Sequence, residues 1–121
     1  VPRGITRLRE AAAAGLRPAL ATDNVQDAFY PYGSYDLLET FGLGVQMAHL
    51  APAGDWLDTV TTHPAAALGL SWDGRIAPGC PADLVVLAAT DEYELLDPEG
   101  RARTVIRAGR VLQQQDKEQA P

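Results

Sequence analysis

A short apolar segment between two predicted helices constrains this chain more than any other feature. Residues 16–22 read as a buried β-strand, because Ala19, Leu20 and Ala21 are small or apolar and Thr22 suits a strand. The next strand-like residue is Ile76, more than fifty residues later. A buried strand must pair its backbone N–H and C=O groups, so it needs neighbouring strands. We therefore expect those neighbours to lie outside these 121 residues, in a longer protein or in another chain.

The residues around this segment predict a layer of helices. The first pattern has an apolar face, and Gly15 is suited to end it in the left-handed conformation. A helix, a tight turn and a buried strand together make half of a β/α repeat. Four helices are predicted: over residues 4–14, from an N-cap at Ser34 to about residue 50, from Asp55, and from near His63 to Gly69. The second is apolar on most sides, so we expect it to be well buried.

The pattern changes after Trp72, which divides the chain into residues 1–72 and 73–121. The second part is rich in turn residues and short strand-like runs. Strands are predicted at Ile76, over residues 84–87, and over residues 104–107 and 110–112 as a hairpin through Ala108-Gly109. From about residue 113 the sequence is polar, and we expect it to fray.

Composition excludes several classes of function. The net charge is −6 and the ten basic residues are scattered, which argues against binding to nucleic acid. No apolar run approaches the roughly 20 residues that cross a bilayer, so we expect no membrane partner. The single cysteine, Cys80, cannot form a disulfide within the chain, and its surroundings do not suggest a metal site. These features fit a folded cytoplasmic protein.

Four stretches together resemble the C-terminal end of the amidohydrolase superfamily. They are "RGITRLREAAAAG", "ALATDNVQDAFYPYGSYDLLET", "TTHPAAALGL" and "GRIAPGCPADLVVL". The likeness runs from Arg3 to about Leu112 and is greatest to the cytosine deaminase-like branch. The stretch around Asp23 is the most specific, whereas the last stretch is common to many amidohydrolases.

The resemblance implies an α/β fold that is the C-terminal part of a (β/α)8 TIM-like barrel. Residues 1–72 would hold the last helix-strand pair and the helices after it. Residues 73–121 would hold the C-terminal strands of a small β-sandwich. The first seven barrel strands would lie outside this chain, and related enzymes are often homo-oligomers.

The resemblance also implies roles for three residues. Taken alone, Asp23 would be read as a turn or cap residue. In the family, an aspartate at the end of the eighth strand binds one catalytic divalent metal ion, zinc or iron, and transfers protons. Asn24 and Phe29 stand at substrate-contacting positions, where cytosine deaminases often carry aspartate and tryptophan. Phe29 can stack on a heterocycle or pack the loop, and Asp27 can cap the loop or contact substrate.

The remaining metal ligands cannot be placed in this chain. His49 and His63 are its two histidines, and neither follows a predicted strand. Catalytic metal sites need about three protein ligands, so one aspartate is not a site. We expect the other ligands to lie outside this chain.

Two functions follow from these expectations. The first is the C-terminal portion of a metal-dependent deaminase that hydrolyses the exocyclic C–N bond of a cyclic amidine. Its substrate would be a cytosine-like pyrimidine or a related amino-heterocycle. The alternative is a non-catalytic association module or pseudo-enzyme remnant without metal, which predicts an exposed apolar patch. A barrel that has lost its upstream ligands would be a third possibility.

Overall fold

The structure, a computed structural model, describes residues 4–97 and 102–112. It divides into two compact units, Val1–Ile76 and Ala77–Pro121. The assignment of these units to a barrel end and a sandwich stays a prediction. The helices are α1 (Leu8–Ala13), α2 (Leu37–Ala48), a 3₁₀ helix (Ala53–Val60), α3 (Thr62–Ala67) and α4 (Glu92–Leu96), and the strands are β1 (Leu84–Leu87), β2 (Arg103–Arg107) and β3 (Arg110–Val111). The tail from residue 113, predicted to fray, lies outside the described residues.

Helix α1 is shorter than predicted but ends where the sequence indicates. Gly15 has φ +83°. Its N–H donates to the carbonyl of Ala12 at 2.9 Å, and the N–H of Leu16 donates to the carbonyl of Ala11 at 3.0 Å. This pair of bonds is a Schellman motif, which satisfies carbonyls that the last helical turn leaves unpaired. The predicted turn at Gly15 is therefore confirmed.

Helix α2 begins at a different cap from the predicted one. The carboxylate of Asp36 accepts hydrogen bonds from the backbone N–H groups of Leu38 at 3.0 Å and Glu39 at 3.4 Å. Ser34 lies two residues earlier, where its hydroxyl accepts from the N–H of Asp36 at 3.2 Å. The prediction of Ser34 as N-cap is wrong because the ionised carboxylate, nearer the helix, is the better acceptor for the helix N-terminus.

The predicted buried strand over residues 16–22 is absent. The side chains of Ala19 and Ala21 are exposed, and that of Leu20 is only partly buried. The N–H of Leu20 donates to the carbonyl of Thr59 at 2.9 Å, but no strand within residues 4–97 and 102–112 pairs with this segment. The prediction is wrong for this chain because a strand forms only with a partner ladder.

The core of the first unit lies between α2 and the 3₁₀ helix. Phe41, Leu50 and Thr59 are almost fully buried. The hydroxyl of Thr59 donates to the carbonyl of Trp56 at 2.6 Å, which satisfies the polar atom inside the core. The opposite face of α2 is open, since Met47 is 58% exposed. The prediction of a helix buried on most sides is therefore wrong: α2 buries one face.

The remaining helical predictions hold in outline. The segment predicted to begin at Asp55 is a 3₁₀ helix that begins at Ala53. Helix α3 begins at Thr62, so Pro64 is its third residue and not, as the sequence predicts, its first. It ends at Ala67, and Gly69 follows with φ +63° and donates its N–H to the carbonyl of Ala66.

The second unit is built on a three-stranded antiparallel sheet in the order β1-β2-β3. Ala108 and Gly109 have φ +48° and +75°, which is the pattern of a type I′ hairpin turn. The carboxylate of Asp83 accepts from the N–H of Ala108 at 2.6 Å and ties the turn to β1. The predicted hairpin is confirmed, whereas Ile76 lies outside the sheet and is 84% exposed.

Helices in the described part of the chain are all too short or too polar to span a bilayer.

Candidate functional site

The loop over residues 23–33 contains all three predicted site residues. Asp23 opens it with φ +58°, a left-handed conformation that is uncommon outside glycine and asparagine. Its side chain is exposed. Within residues 4–97 and 102–112, the Asp23 carboxylate makes no hydrogen bond or ion pair. The backbone turn therefore presents a carboxylate that the rest of this loop does not use.

Asp27 holds the loop together. Its Oδ1 accepts hydrogen bonds from the backbone N–H groups of Phe29 at 2.8 Å and Tyr30 at 2.9 Å. Its Oδ2 accepts from Nδ2 of Asn24 at 2.5 Å. An aspartate that bonds its own backbone two and three residues ahead forms a turn that needs no other element. Asp27 thus caps the loop, one of the two roles that the sequence left open for it.

These bonds stabilise the charged form of Asp27. The hydrogen bond from Asn24 lowers the pKa of the Asp27 carboxyl most, and the N–H groups of Tyr30 and Phe29 lower this pKa further. A group hydrogen-bonded in its ionised form resists protonation. Asp27 is therefore an acceptor at neutral pH, and its partners must be donors.

The aromatic side chains of the loop have two different surroundings. The rings of Tyr30 and Tyr32 meet edge to face, with centroids 5.6 Å apart and planes at 77°. Phe29 is 88% exposed. A large ring held out from a loop is available for stacking on a flat ligand. Its predicted role in substrate binding stays a prediction.

Two further contacts close the base of the loop. The backbone N–H of Gln26 donates to the carbonyl of Tyr32 at 3.1 Å, and its side-chain Nε2 donates to the carbonyl of Gly33 at 3.1 Å. Val25 is buried beneath them at 5% exposure. The loop is thus anchored at Val25 and tied across its neck, and Asp23 lies just outside this closed part.

The described residues do not assemble a complete metal site. Among residues 4–97 and 102–112, no three His, Cys, Asp or Glu side chains are grouped to hold an ion. His63 Nδ1 lies 2.7 Å from the carbonyl of Pro18 and donates to it, which occupies one of the two ring nitrogens. His49 is the left-handed C-cap of α2. Asp23 therefore remains the sole candidate ligand among the residues predicted from the sequence.

An apolar groove runs beside the segment that leads into Asp23. Residues 19–22 form one wall, and α2 forms another through Leu43 and Met47. Gly44 lies at the closest approach, because a Cβ there would stand 2.7 Å from a methyl group of Leu20. Leu43 and Met47 are more than half exposed, so this apolar surface is open in the structure.

Asp27 is the residue whose position sequence reasoning underrated. It holds Asn24, a predicted substrate contact, in a fixed orientation. The sequence did carry a signal, since an aspartate in a loop rich in turn residues commonly bonds its own backbone two residues ahead.

Comparison with known proteins identifies the family. The model of the Amidohydrolase family matches residues 1–113. A pterin deaminase from Rhizobium rhizogenes is 45% identical over 111 residues, which cover 91% of this chain and 25% of that protein. The N-isopropylammelide isopropyl amidohydrolase of Pseudomonas sp. strain ADP is 28% identical over 103 residues, which cover 82% of this chain and 25% of that protein.

A solved structure agrees with these relatives. The 5-methylcytosine deaminase from Klebsiella pneumoniae, crystallised with phosphonocytosine, superposes with a TM-score of 0.74 at 35% identity. The match covers 96% of this chain and 29% of that chain. The chain thus spans about a quarter of the length of the curated relatives that it matches. Since the family model covers nearly every residue, the chain belongs to the amidohydrolase family.

Proposed function

We propose that this chain forms the C-terminal part of a metal-dependent deaminase and supplies Asp23 to its active site. The observation that carries the proposal is the position of Asp23. Its carboxylate is exposed, has no partner in the described part of the chain, and stands where the apolar segment of residues 16–22 ends. The matching relatives include deaminases of pterin and 5-methylcytosine, which supports this class of reaction.

The donor chemistry of Asp23 fits a hard or borderline divalent cation such as zinc or iron. A carboxylate is a common ligand for such ions, and one without competing hydrogen bonds is available to serve. A divalent ion, when bound, supplies Lewis acidity that brings the pKa of water to about 7. The other ligands would lie outside this chain, on the remainder of the barrel, together with most of the residues that bind the substrate.

Asp23 would also move a proton. Hydrolysis of an exocyclic C–N bond requires that a proton leave the attacking water and reach the departing amine. A carboxylate beside the water can accept that proton at one oxygen and release it to the amine nitrogen. The left-handed turn at Asp23 sets the carboxylate at the loop entrance, where a substrate can reach it.

The substrate class follows from three of the matching relatives. Pterin and 5-methylcytosine are flat heterocycles that carry an amino group on a ring carbon next to nitrogen. Ammelide is a triazine of the same amidine type. Phe29, exposed beside Asn24, can stack on such a ring, and Asn24 can hydrogen-bond its polar edge. A cyclic amidine is therefore the class that these residues fit best.

The alternative of a non-catalytic association module is not favoured, since the matching relatives are named as enzymes. The open groove along α2 is the exposed apolar patch that this alternative predicts, but the missing part of a barrel would account for it equally well. A barrel that has lost its upstream ligands would give no turnover, which separates it from the active deaminase.

Ammonia release from amino-heterocycles tests the proposal. The experiment uses the whole gene product, which is the full protein that the gene encodes. The substrates are cytosine, 5-methylcytosine, pterin and aminotriazines. We expect turnover of at least one substrate, and a loss of about 10²–10⁴-fold in Asp23→Asn, which keeps the side-chain shape but removes the base. Full activity in Asp23→Asn would contradict the role of Asp23.

A further inference from the structure

The side-chain amide of Asn24 has a defined direction in the loop. Its Nδ2 donates to Oδ2 of Asp27 at 2.5 Å. The oxygen of an amide lies on the opposite side of the carbonyl carbon from the nitrogen, so Oδ1 of Asn24 faces away from Asp27. Asn24 is exposed, so this oxygen is an acceptor on the side of the amide that faces away from Asp27.

The direction is imposed by the rest of the loop. Oδ1 of Asp27 already accepts two backbone N–H groups, from Phe29 and Tyr30. Those bonds favour the ionised carboxylate, which has no proton to donate. If Asn24 turned over, its oxygen would face a carboxylate oxygen and the pair would repel. Asp27 therefore allows only one of the two amide orientations.

We propose that Asp27 is a positioning residue that makes Asn24 select a substrate presenting an N–H group. The inference rests on the proposed function, since it concerns the substrate of that site. Asn24 would accept a hydrogen bond from a ring N–H or an amino group of the heterocycle. A ring with only acceptors or a methyl group at that edge would leave the Asn24 oxygen unpaired, which is the basis of strong discrimination.

An isosteric substitution reverses the orientation and leaves the turn in place. In Asp27→Asn, the new amide oxygen must face the N–H groups of Phe29 and Tyr30, because they remain donors. Its NH₂ group then occupies the position of Oδ2 and points at Asn24. Asn24 must present its own oxygen to that donor, so its NH₂ group turns outward. The substitution changes the side of the Asn24 amide that faces away from position 27 from an acceptor to a donor.

The test measures selectivity in the whole gene product. Kinetic constants are determined for two matched pairs, cytosine with 1-methylcytosine and pterin with 3-methylpterin, in which methylation removes one ring N–H. We expect wild type to prefer the unmethylated member. In Asp27→Asn this preference should fall by about tenfold or more, mainly through a higher KM for the unmethylated substrate and with little change in kcat.

Further variants separate orientation from general damage to the loop. Asn24→Ala should lose the same preference, and Asp27→Asn added to it should have no further effect on selectivity. Asp73→Asn is the matched control, because Asp73 accepts from the N–H of Arg75 at 3.2 Å in an exposed turn of the same kind. It should leave the preference unchanged. If Asp27→Asn does not fold, judged by its melting temperature, Asn24→Ala still tests whether Asn24 sets the preference, and an unchanged preference there would overturn the inference.

The possible failures are distinguishable. An unchanged preference in Asp27→Asn, or an equal loss of kcat for both members of a pair, would overturn the positioning role while wild-type turnover upheld the proposed function. Wild type that releases no ammonia from any substrate would overturn the proposed function, and the inference with it.

Discussion

Two segments that the sequence predicts as strands have different outcomes in this molecule. Residues 84–87 form β1, which pairs with β2 from Leu84↔Ile106 to Leu87↔Arg103. Residues 16–22 form no ladder within residues 4–97 and 102–112; beyond the bond from Leu16 that closes α1, Leu20 donates one backbone bond to Thr59. Both were predicted as strands from the same kind of pattern.

This difference shows that a segment with strand propensity forms a strand only beside a partner strand. The branched side chains of β1 lie beside β2, which follows α4 in the chain, and β2 continues through the turn at Ala108-Gly109 into β3. Residues 16–22 have no such neighbour in the described part of the chain. β-propensity measures how well a residue fits a pleated, half-buried surface. One isolated segment does not provide such a surface. Asp23 directly follows residues 16–22, the segment whose strand pairing depends on neighbouring strands.

Amide hydrogen exchange should show the largest effect. In residues 1–121 alone, we expect the N–H groups of Ala19, Ala21 and Thr22 to exchange freely, since they lack partners. In the whole gene product, neighbouring strands should slow them by about a thousandfold or more. The N–H of Leu20, bonded to Thr59, is the internal control and should differ less between the two samples. Equal exchange of all four amides in both samples would contradict the pairing of residues 16–22 with neighbouring strands.

The open groove predicts a difference between two large apolar side chains on α2. Phe41 is fully buried, so Phe41→Ala should lower the free energy of unfolding of the first unit by about 3–5 kcal/mol. Leu43 is 56% exposed, and Leu43→Ala should cost less than about 1 kcal/mol in residues 1–121. Urea unfolding followed by fluorescence is suitable because both tryptophans, Trp56 and Trp72, lie in this unit.

The same leucine sharpens the test in the whole gene product. If other strands cover the groove, Leu43→Ala should there cost at least about 2 kcal/mol, as for a buried leucine. An equally small cost in both proteins would mean that the groove stays open to water.

The hairpin turn predicts a smaller effect on the paired strand. Gly109 has φ +75°, so Gly109→Ala should destabilise the sheet by about 1–2 kcal/mol. Ala108→Gly is the matched change in the same turn, because Ala108 has φ +48° without being glycine. It should be neutral or stabilising by up to about 1 kcal/mol. Exchange rates of the β1 amides report the effects of both substitutions. If both substitutions destabilised the sheet, a type I′ turn would be excluded.

The smallest expected effect is on acid stability of the loop. The pKa of Asp27 is lowered in the folded chain by Asn24 and by the N–H groups of Tyr30 and Phe29. A lowered pKa contributes stability above the unfolded value, and this stability is lost as pH falls through the folded value. The loop bonds should therefore persist at the usual aspartate pKa of 3.8 and break below it. NMR shifts of the Phe29 and Tyr30 amides during acid titration check this; a midpoint above 3.8 would contradict it.

Much of the fold was predictable because its signals are local. Gly15 and Gly69 end helices where the sequence indicates, and Ala108-Gly109 forms the expected turn. The predictions at these positions were correct because a residue with a left-handed backbone conformation changes the chain direction wherever it occurs. The prediction at residues 16–22 failed because strand pairing is not local. Ser34 failed as a cap for another reason: two good cap residues lie two positions apart, and Asp36 is the stronger acceptor.

The candidate site was predictable only in part. The resemblance singled out Asp23, Asn24 and Phe29, and the structure places them on one loop. The bond that orients Asn24 could not be read from the sequence, since it depends on the backbone turn that brings Asp27 back towards it. The other metal ligands were beyond prediction, because no cluster of three exists in the described part of this chain.

The metal content of the whole gene product tests the central claim most directly. Samples of wild type, Asp23→Asn and the control Asp55→Asn are purified alike, and bound metal is measured by elemental mass spectrometry. Our account predicts about one divalent ion, zinc or iron, per chain in wild type and control, and a loss of most of it in Asp23→Asn. Wild type without metal, or the same metal content in all three, would contradict the claim that Asp23 belongs to a metal site.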